Sequence, residues 1–283
     1  MNDIKDTKSF KARLGLFLTY LIMFFFTVMA IYPLIWLGIN SFKTTTEFQL
    51  NKLGFPKDWV TVNYTDAWVR GKFPHLILNS VIYTGITTVV TLVFSFMAGF
   101  AFAKIPHKAT KFLHGSYVIG LLLTLQSIMV PLFLIINWTG LYNTRLGVLI
   151  PYIGIAMPIG IYLGTDYIKS IPDALVESAR LDGATYMKIF SAIIVPMAMP
   201  VAVTVAILTV TGTWNEFMLI NILTSSDALK SLPVGVQKFA GALSSDFGKQ
   251  FASLVIGLFP MLLFYLFFRK EITKGVAAGA VKG

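Results

Sequence analysis

The chain has 283 residues, of which 56% are apolar and 13% charged, with a formal net charge of +10 and no cysteine. A water-soluble domain normally carries about 25% charged residues, so this composition excludes a single soluble core, and the lack of cysteine excludes disulfides and thiolate metal sites. Because the basic residues lie in short runs between apolar segments, the charge indicates membrane topology and not a partner nucleic acid.

Long uncharged segments dominate the chain. The first two, Leu14–Ile39 and Leu76–Ala103, have 26 and 28 residues, whereas about 20 are enough to cross a bilayer as a helix. Three more spans are predicted at Gly115–Trp138, Leu146–Thr165 and Phe251–Phe268. The sequence therefore predicts an all-α membrane protein.

The segment between Lys188 and Asp227 holds 38 residues with one charge, Glu216. A single helix of that length would measure about 57 Å, too long for one crossing and too short for two with a turn. Proline interrupts a helix by removing a hydrogen bond and clashing with the preceding turn. We therefore expect a surface helix before Pro196 and a fifth span from Pro200 to Leu223, giving six transmembrane helices.

The distribution of basic residues predicts the orientation. With six spans, the side that holds both termini carries 14 Lys and Arg residues, against 9 on the opposite side. The positive-inside rule then places both termini in the cytoplasm. We expect a cytoplasmic segment at residues 1–13, a six-span permease domain at 14–268, and a cytoplasmic tail at 269–283 whose small residues fray.

One cytoplasmic loop, residues 170–196, has the pattern of two short helices joined by a sharp turn. Ser170 and Asp173 are spaced as a capping box at the start of the first helix. Gly183 is placed to end that helix in the left-handed conformation, and Thr185 to cap the second helix. The pattern fits an ordinary amphipathic connector as well as a helix that enters a groove on a partner protein.

The same loop carries a family resemblance. Glu177-Ser-Ala-Arg-Leu-Asp-Gly-Ala184, followed after nine residues by Ile194-Val195-Pro196, resembles the EAA loop in membrane subunits of binding-protein-dependent ABC importers. Ser178 departs from the usual alanine but is nearly as small. Shorter segments resemble the maltose-type, oligosaccharide-importing branch in the same order along the chain: Ser41–Lys43, Asn79–Ser80, Val130–Leu132, Gly140–Thr144, Trp214–Phe217 and Ala278–Gly283.

This resemblance implies a set of partners. The chain would be the second permease of a heterodimer, with two ATPase subunits in the cytoplasm, an extracytoplasmic solute-binding protein and a sugar substrate. It has no phosphate-binding loop of the G-x-x-x-x-G-K-[ST] type, so the ATPase partners would bind ATP, and the chain would be non-catalytic without a cofactor of its own. The resemblance also suggests that the tail reaches between the ATPases. The residues implied in coupling to an ATPase are Glu177, Ser178, Ala179, Asp182, Gly183, Ala184 and Pro196.

Polar side chains within the predicted spans are candidates for a solute path. They are Gln126, Asn137, Asn215 and Glu216. Buried polar residues in membrane helices also bond neighbouring helices, and Glu216 with Trp214 could instead lie in an interfacial belt if the fifth span ends earlier. The three histidines, His75, His107 and His114, show no catalytic or metal-binding spacing.

Two other classes of function remain open. An ion-coupled secondary transporter usually shows internal repeats and embedded ion ligands, and the sequence shows no repeat and one carboxylate in a span. A membrane scaffold would not need the coupling loop. Of these, the ion-coupled transporter is the principal alternative to an ATP-driven importer.

Overall fold

A computed structural model describes residues 10–239 and 246–280, and these ranges contain helices and no strand. The helices, in chain order, are α1 (Phe10–Asn40), α2 (Thr45–Leu50), α3 (Val62–Arg70), α4 (Phe73–Lys104), α5 (Thr110–Gly120), α6 (Leu125–Trp138), α7 (Arg145–Lys169), α8 (Asp173–Leu181), α9 (Tyr186–Ile189), α10 (Val195–Met197), α11 (Met199–Asn215), α12 (Met218–Leu223), α13 (Leu232–Val236) and α14 (Phe247–Ala280).

The predicted multi-pass helical fold is confirmed. Within the described residues, four helices are long and apolar enough to cross a membrane, namely α1, α4, α7 and α14. Two bent pairs raise the total to as many as six: α5 with α6, at 106°, and the helical segment Tyr186–Met197 with α11, at 77°. The second bend falls at Ala198, between the two prolines that divide the segment in the sequence prediction.

The predicted span Gly115–Trp138 is not one continuous helix, because α5 and α6 are separated at residues 121–124. Thr124 has an extended backbone, with ψ 145°. The Ser127 hydroxyl donates to the Thr124 carbonyl over 2.8 Å. Serine and threonine hydroxyls compete in this way with the helical hydrogen-bond ladder, and apolar composition alone does not reveal the competition.

The fifth span is shorter than predicted. Helix α11 ends at Asn215, and Glu216 adopts an extended conformation. The Glu216 carboxylate accepts hydrogen bonds from the backbone amides of Leu219, at 2.7 Å, and Ile220, at 3.3 Å. It therefore supplies partners for the first turn of α12, which is a separate helix rather than a continuation to Leu223.

The last helix is longer than the predicted span Phe251–Phe268. Helix α14 runs over 34 residues to Ala280. Helical backbone therefore continues through the predicted tail as far as residue 280, and residues 281–283 lie outside the described ranges.

The chain divides into two compact units. The first comprises the described parts of Met1–Arg70 and Lys238–Leu258. In it, the buried Asn63 amide donates to the carbonyls of Ser41 and Lys43, over 2.8 and 2.9 Å. Lys249 forms ion pairs with Asp66, at 3.1 Å, and Asp246, at 2.9 Å. These bonds fix the connection between α1 and α3 onto the start of α14.

The second unit comprises Gly71–Gln237 and the described part of Phe259–Gly283. Its helices α4 and α7 approach closely at small residues. A Cβ on Gly160 would lie 2.5 Å from Ser95 Oγ, and a Cβ on Gly99 would lie 3.0 Å from the Thr165 amide nitrogen. Small residues let membrane helices pack backbone to backbone. One apolar cluster lies around Tyr83 and a second around Phe100, toward the other end of α4.

Candidate functional site

The loop 170–196 contains the predicted pair of helices, but its first helix begins differently from the prediction. The Ser170 hydroxyl donates to the Tyr167 carbonyl over 2.7 Å and caps nothing. The Asp173 carboxylate instead accepts from Lys104 Nζ at 2.6 Å. A charge-assisted bond to an ammonium is stronger than a bond to a neutral amide, so the predicted capping box is wrong.

The turn after α8 agrees with the prediction. Gly183 has φ +79°. Its amide donates to the Arg180 carbonyl, and the next amide, of Ala184, donates to the Ala179 carbonyl. Thr185 Oγ1 then accepts from the Lys188 amide at 3.3 Å and caps α9. A Cβ at Gly183 would meet no atom within 4 Å, so the left-handed backbone, and not lack of space, requires glycine here.

Helix α8 has one covered face and one open face. Val176 is 7% exposed, and Ala179 packs beside it against the cluster that contains Phe100. On the opposite side Ser178 is exposed, and Leu181 is 89% exposed. The other implied coupling residues are exposed at Glu177, Asp182, Gly183 and Pro196 and half-buried at Ala184. The loop thus presents most of these residues away from the spans.

The second helix of the loop is anchored by aromatic rings. The Phe100 ring lies 5.8 Å from the Phe190 ring, measured between centroids. The Arg180 guanidinium lies 4.3 Å from the centre of the Tyr186 ring, a cation–π distance. After α9 the chain continues as a π-helical turn over Phe190–Ile194, a feature that no sequence pattern predicted. An open pocket of about 510 Å³ lies beside α8. It is lined by Lys104, Val176, Glu177, Arg180, Leu181 and Tyr186.

A second candidate site is a cavity of about 270 Å³ between α7 and α11. Its polar lining includes Glu216, Tyr152, Thr209 and Thr213, and apolar residues such as Leu125 and Ile155 complete it. The Tyr152 hydroxyl donates to Glu216 Oε2 over 2.6 Å. Sequence reasoning found Glu216 but missed Tyr152, which lies 64 residues away. The spacing of Thr209, Thr213 and Glu216 along one helical face was a signal for the polar side of the cavity, but it does not point to Tyr152.

The structure does not bring the four predicted path residues together. Glu216 lines the cavity, whereas Gln126, Asn137 and Asn215 are exposed and lie outside its lining. The Asn215 amide donates to the Thr211 carbonyl of its own helix over 2.9 Å. Trp214 is buried, at 8% exposure, so the early end of α11 does not leave this ring on an interfacial belt.

Within residues 10–239 and 246–280, no group of three or more histidine or acidic side chains is arranged to hold a metal ion. His75 Nε2 lies 2.7 Å from the Ala228 carbonyl oxygen.

Comparison with known proteins adds a family and relatives. Residues 95–269 match the family model described as "Binding-protein-dependent transport system inner membrane component". A probable ABC transporter permease protein of Bacillus subtilis, YurM, is 34% identical over 281 residues, which cover 99% of this chain and 93% of that protein. The trehalose transport system permease protein SugB of Mycobacterium tuberculosis is 33% identical, over 90% of this chain and 93% of that protein.

Two further similarities extend over nearly the whole chain. The multiple sugar-binding transport system permease protein MsmG of Streptococcus mutans is 30% identical, over 95% of this chain and 98% of that protein. A chain in the crystal structure of a bacterial ABC transporter involved in the import of the acidic polysaccharide alginate superposes with a TM-score of 0.81. That match has 23% identity and covers 94% of this chain and 99% of the other, so it establishes the shared fold.

Proposed function

Because this chain belongs to the family of binding-protein-dependent transport system inner membrane components, we propose that it is the permease subunit of an ATP-driven sugar importer. One observation carries the proposal. Permeases named for sugar transport match it at 30% identity or more over at least 90% of its length. The substrate is thus a sugar or oligosaccharide, and the chain itself performs no catalysis.

The partners follow from the same family. We propose a second permease that forms a heterodimer with this chain, two ATPase subunits that bind ATP, and an extracytoplasmic solute-binding protein as receptor. Both termini lie in the cytoplasm, which the excess of Lys and Arg on that side supports. The outer loops Asn40–His75 and Thr224–Gln250 form the landing surface for the receptor.

The loop 170–196 is the coupling element in this proposal. The open face of α8, which includes Ser178 and Leu181, enters a cleft on one ATPase. Its covered face, at Val176 and Ala179, transmits movement to the spans through the apolar cluster at Phe100. A docked helix can transmit rigid-body movement only if its ends are fixed. The Lys104–Asp173 ion pair and the turn at Gly183 fix them.

The cavity beside Glu216 is proposed as part of the solute path. Small-molecule sites are mostly apolar, with a few polar groups that orient the ligand. The Glu216 carboxylate receives three hydrogen bonds in the structure, and a carboxylate offers about four acceptor positions. It can therefore still accept one bond from a sugar hydroxyl, with Thr213 one helical turn away.

The experiment that tests this function is uptake into proteoliposomes that contain the complex purified with this chain from its native membrane. Radiolabelled trehalose, raffinose and maltose are offered with the receptor, with and without ATP in the lumen. We expect uptake of at least one sugar that requires ATP and survives collapse of ion gradients by ionophores. Uptake that needs an ion gradient and no ATP would establish the secondary transporter instead.

A further inference from the structure

The first turns of α4 hold the backbone of a distant segment, residues 227–232. The Asn79 amide donates to the carbonyls of Ala228 and Lys230, each over 2.9 Å. The Tyr83 hydroxyl donates to the Leu229 carbonyl over 2.9 Å. Ser80 Oγ accepts from the Leu232 amide at 2.9 Å. These four bonds and the His75 contact form what we call the α4 clamp.

The α4 clamp is buried and supported from a third element. Asn79 is 0% exposed, and its Oδ1 accepts from Arg145 Nη2, at the start of α7, over 3.0 Å. The clamp binds peptide groups rather than side chains, so it fixes the path of residues 227–232 whatever their side chains contact. Just beyond, a Cβ on Gly235 would lie 2.1 Å from Leu76 Cδ1 of α4. The segment and α4 therefore have little freedom to separate locally.

The other end of the same helix holds the coupling loop. The last residue of α4, Lys104, is 3% exposed in its side chain. Its ammonium binds both the Ile171 carbonyl and the Asp173 carboxylate, immediately before and at the start of α8. One turn earlier, the Phe100 ring contacts the rings of Tyr186 and Phe190. One helix thus fixes the start of α8 and packs against the second helix of the loop.

We propose that α4 transmits receptor docking at residues 227–232 to the coupling loop, with Asn79 and Lys104 as its positioning residues. About 38 Å of helix separates them, at 1.5 Å per residue. Helix α4 is continuous from Phe73 to Lys104 and has no proline beyond its first turn, so it can move as one body. This inference rests on the proposed function, which supplies the receptor on one side and the ATPase on the other.

The test measures receptor stimulation of ATP hydrolysis in nanodiscs that hold the complete complex. Asn79→Leu removes the amide bonds at one end, and Lys104→Met removes the ammonium bonds at the other. We expect each to lower the stimulation ratio at least about fivefold, the scale of an allosteric coupling. Both substitutions interrupt the same pathway. The stimulation ratio of the double variant should therefore be no lower than that of the more affected single variant.

Two distant and independent sites contribute additive free energies, so their fold-changes in the stimulation ratio would multiply in the double variant. That result would overturn the proposal, and so would a wild-type stimulation ratio in both single variants. Lys108→Met is the matched control, since Lys108 is exposed in the loop after α4, and it should keep the wild-type ratio. Lys104→Arg should restore most of the stimulation because arginine keeps the charged donor.

Tyr83→Phe provides a milder variant at the outer end, should Asn79→Leu fail to assemble. It removes one hydroxyl bond to Leu229 without leaving a charge unpaired, and it should behave non-additively with Lys104→Met in the same way. If the wild-type complex shows no stimulation by its receptor, the proposed function fails. If the receptor stimulates the wild type and the effects of the two single substitutions are additive in the double variant, only the proposed role of α4 is wrong.

Discussion

The Tyr152 hydroxyl and the Glu216 carboxylate are 2.6 Å apart, which joins α7 to the break between α11 and α12. The same carboxylate accepts the first amides of α12. A carboxylate within apolar spans is costly unless it is paired or faces a cavity. Here it has hydrogen-bond partners and also lines the 270 Å³ cavity.

We expect Tyr152→Phe to destabilise the complex by about 1–2 kcal/mol, because it removes a hydrogen bond and leaves the half-buried Glu216 side chain without that donor. The measurement is the thermal unfolding midpoint of the purified complex. Tyr162→Phe, on the same helix at a residue that is 42% exposed, is the control. Equal midpoints for the two variants would mean that the Tyr152 bond contributes nothing.

Thr213→Val is expected to raise the KM for sugar uptake about two- to tenfold, the effect of one lost hydrogen bond of about 0.5–1.5 kcal/mol. Thr213 lines the cavity. Thr211→Val is the matched control, because the Thr211 hydroxyl already donates to the Ile207 carbonyl of its own helix over 2.8 Å. The same KM in both variants would remove the cavity from the solute path.

Replacing Gly183 with valine should uncouple ATP hydrolysis from uptake. A β-branched residue at φ +79° is strained by about 1–2 kcal/mol or more, so the turn that orients α8 would change. Gly183→Asn should retain coupling, since asparagine tolerates the left-handed region. The quantity to compare is sugar imported per ATP hydrolysed. Full coupling in the valine variant would contradict the role of this turn.

The packing of α4 on α7 makes a separate prediction about stability. Gly160→Ala should cost about 1–3 kcal/mol, because its Cβ would meet Ser95 and overpack the contact. Gly154→Ala on the same helix meets no atom within 4 Å and should be neutral or stabilising, as alanine favours helix. The measurement is the thermal unfolding midpoint of each variant. An unchanged midpoint for Gly160→Ala would show that the contact between α4 and α7 adjusts without cost.

Apolar composition and proline positions predicted the helical fold and the division near Ala198, and the six predicted spans fall within the four to six that the described helices allow. Local chemistry also predicted the turn at Gly183 and the cap at Thr185. Two of the errors came from partners that are distant in sequence. Asp173 binds Lys104, 69 residues away, and Glu216 binds Tyr152. No local pattern encodes such pairs, because only tertiary packing brings them within reach.

The prediction of the solute-path residues also depended on packing that no local sequence pattern shows. Gln126, Asn137 and Asn215 were predicted because they are polar residues in apolar segments. That composition does not determine which side of a helix they occupy. The structure places them outside the cavity, and the direction in which each points depends on helix rotation and on the breaks beside Thr124 and Glu216.

The central claim, that α8 docks into an ATPase in the cytoplasm, is tested most directly by cross-linking from Ser178→Cys. The chain has no native cysteine, so the new thiol is unique in it, and Ser178 lies on the open face of α8. The account predicts a cross-link to the ATPase and no labelling by a membrane-impermeant thiol reagent added outside intact cells. Labelling from outside, or a complex that imports sugar without any cross-link to an ATPase, would contradict it.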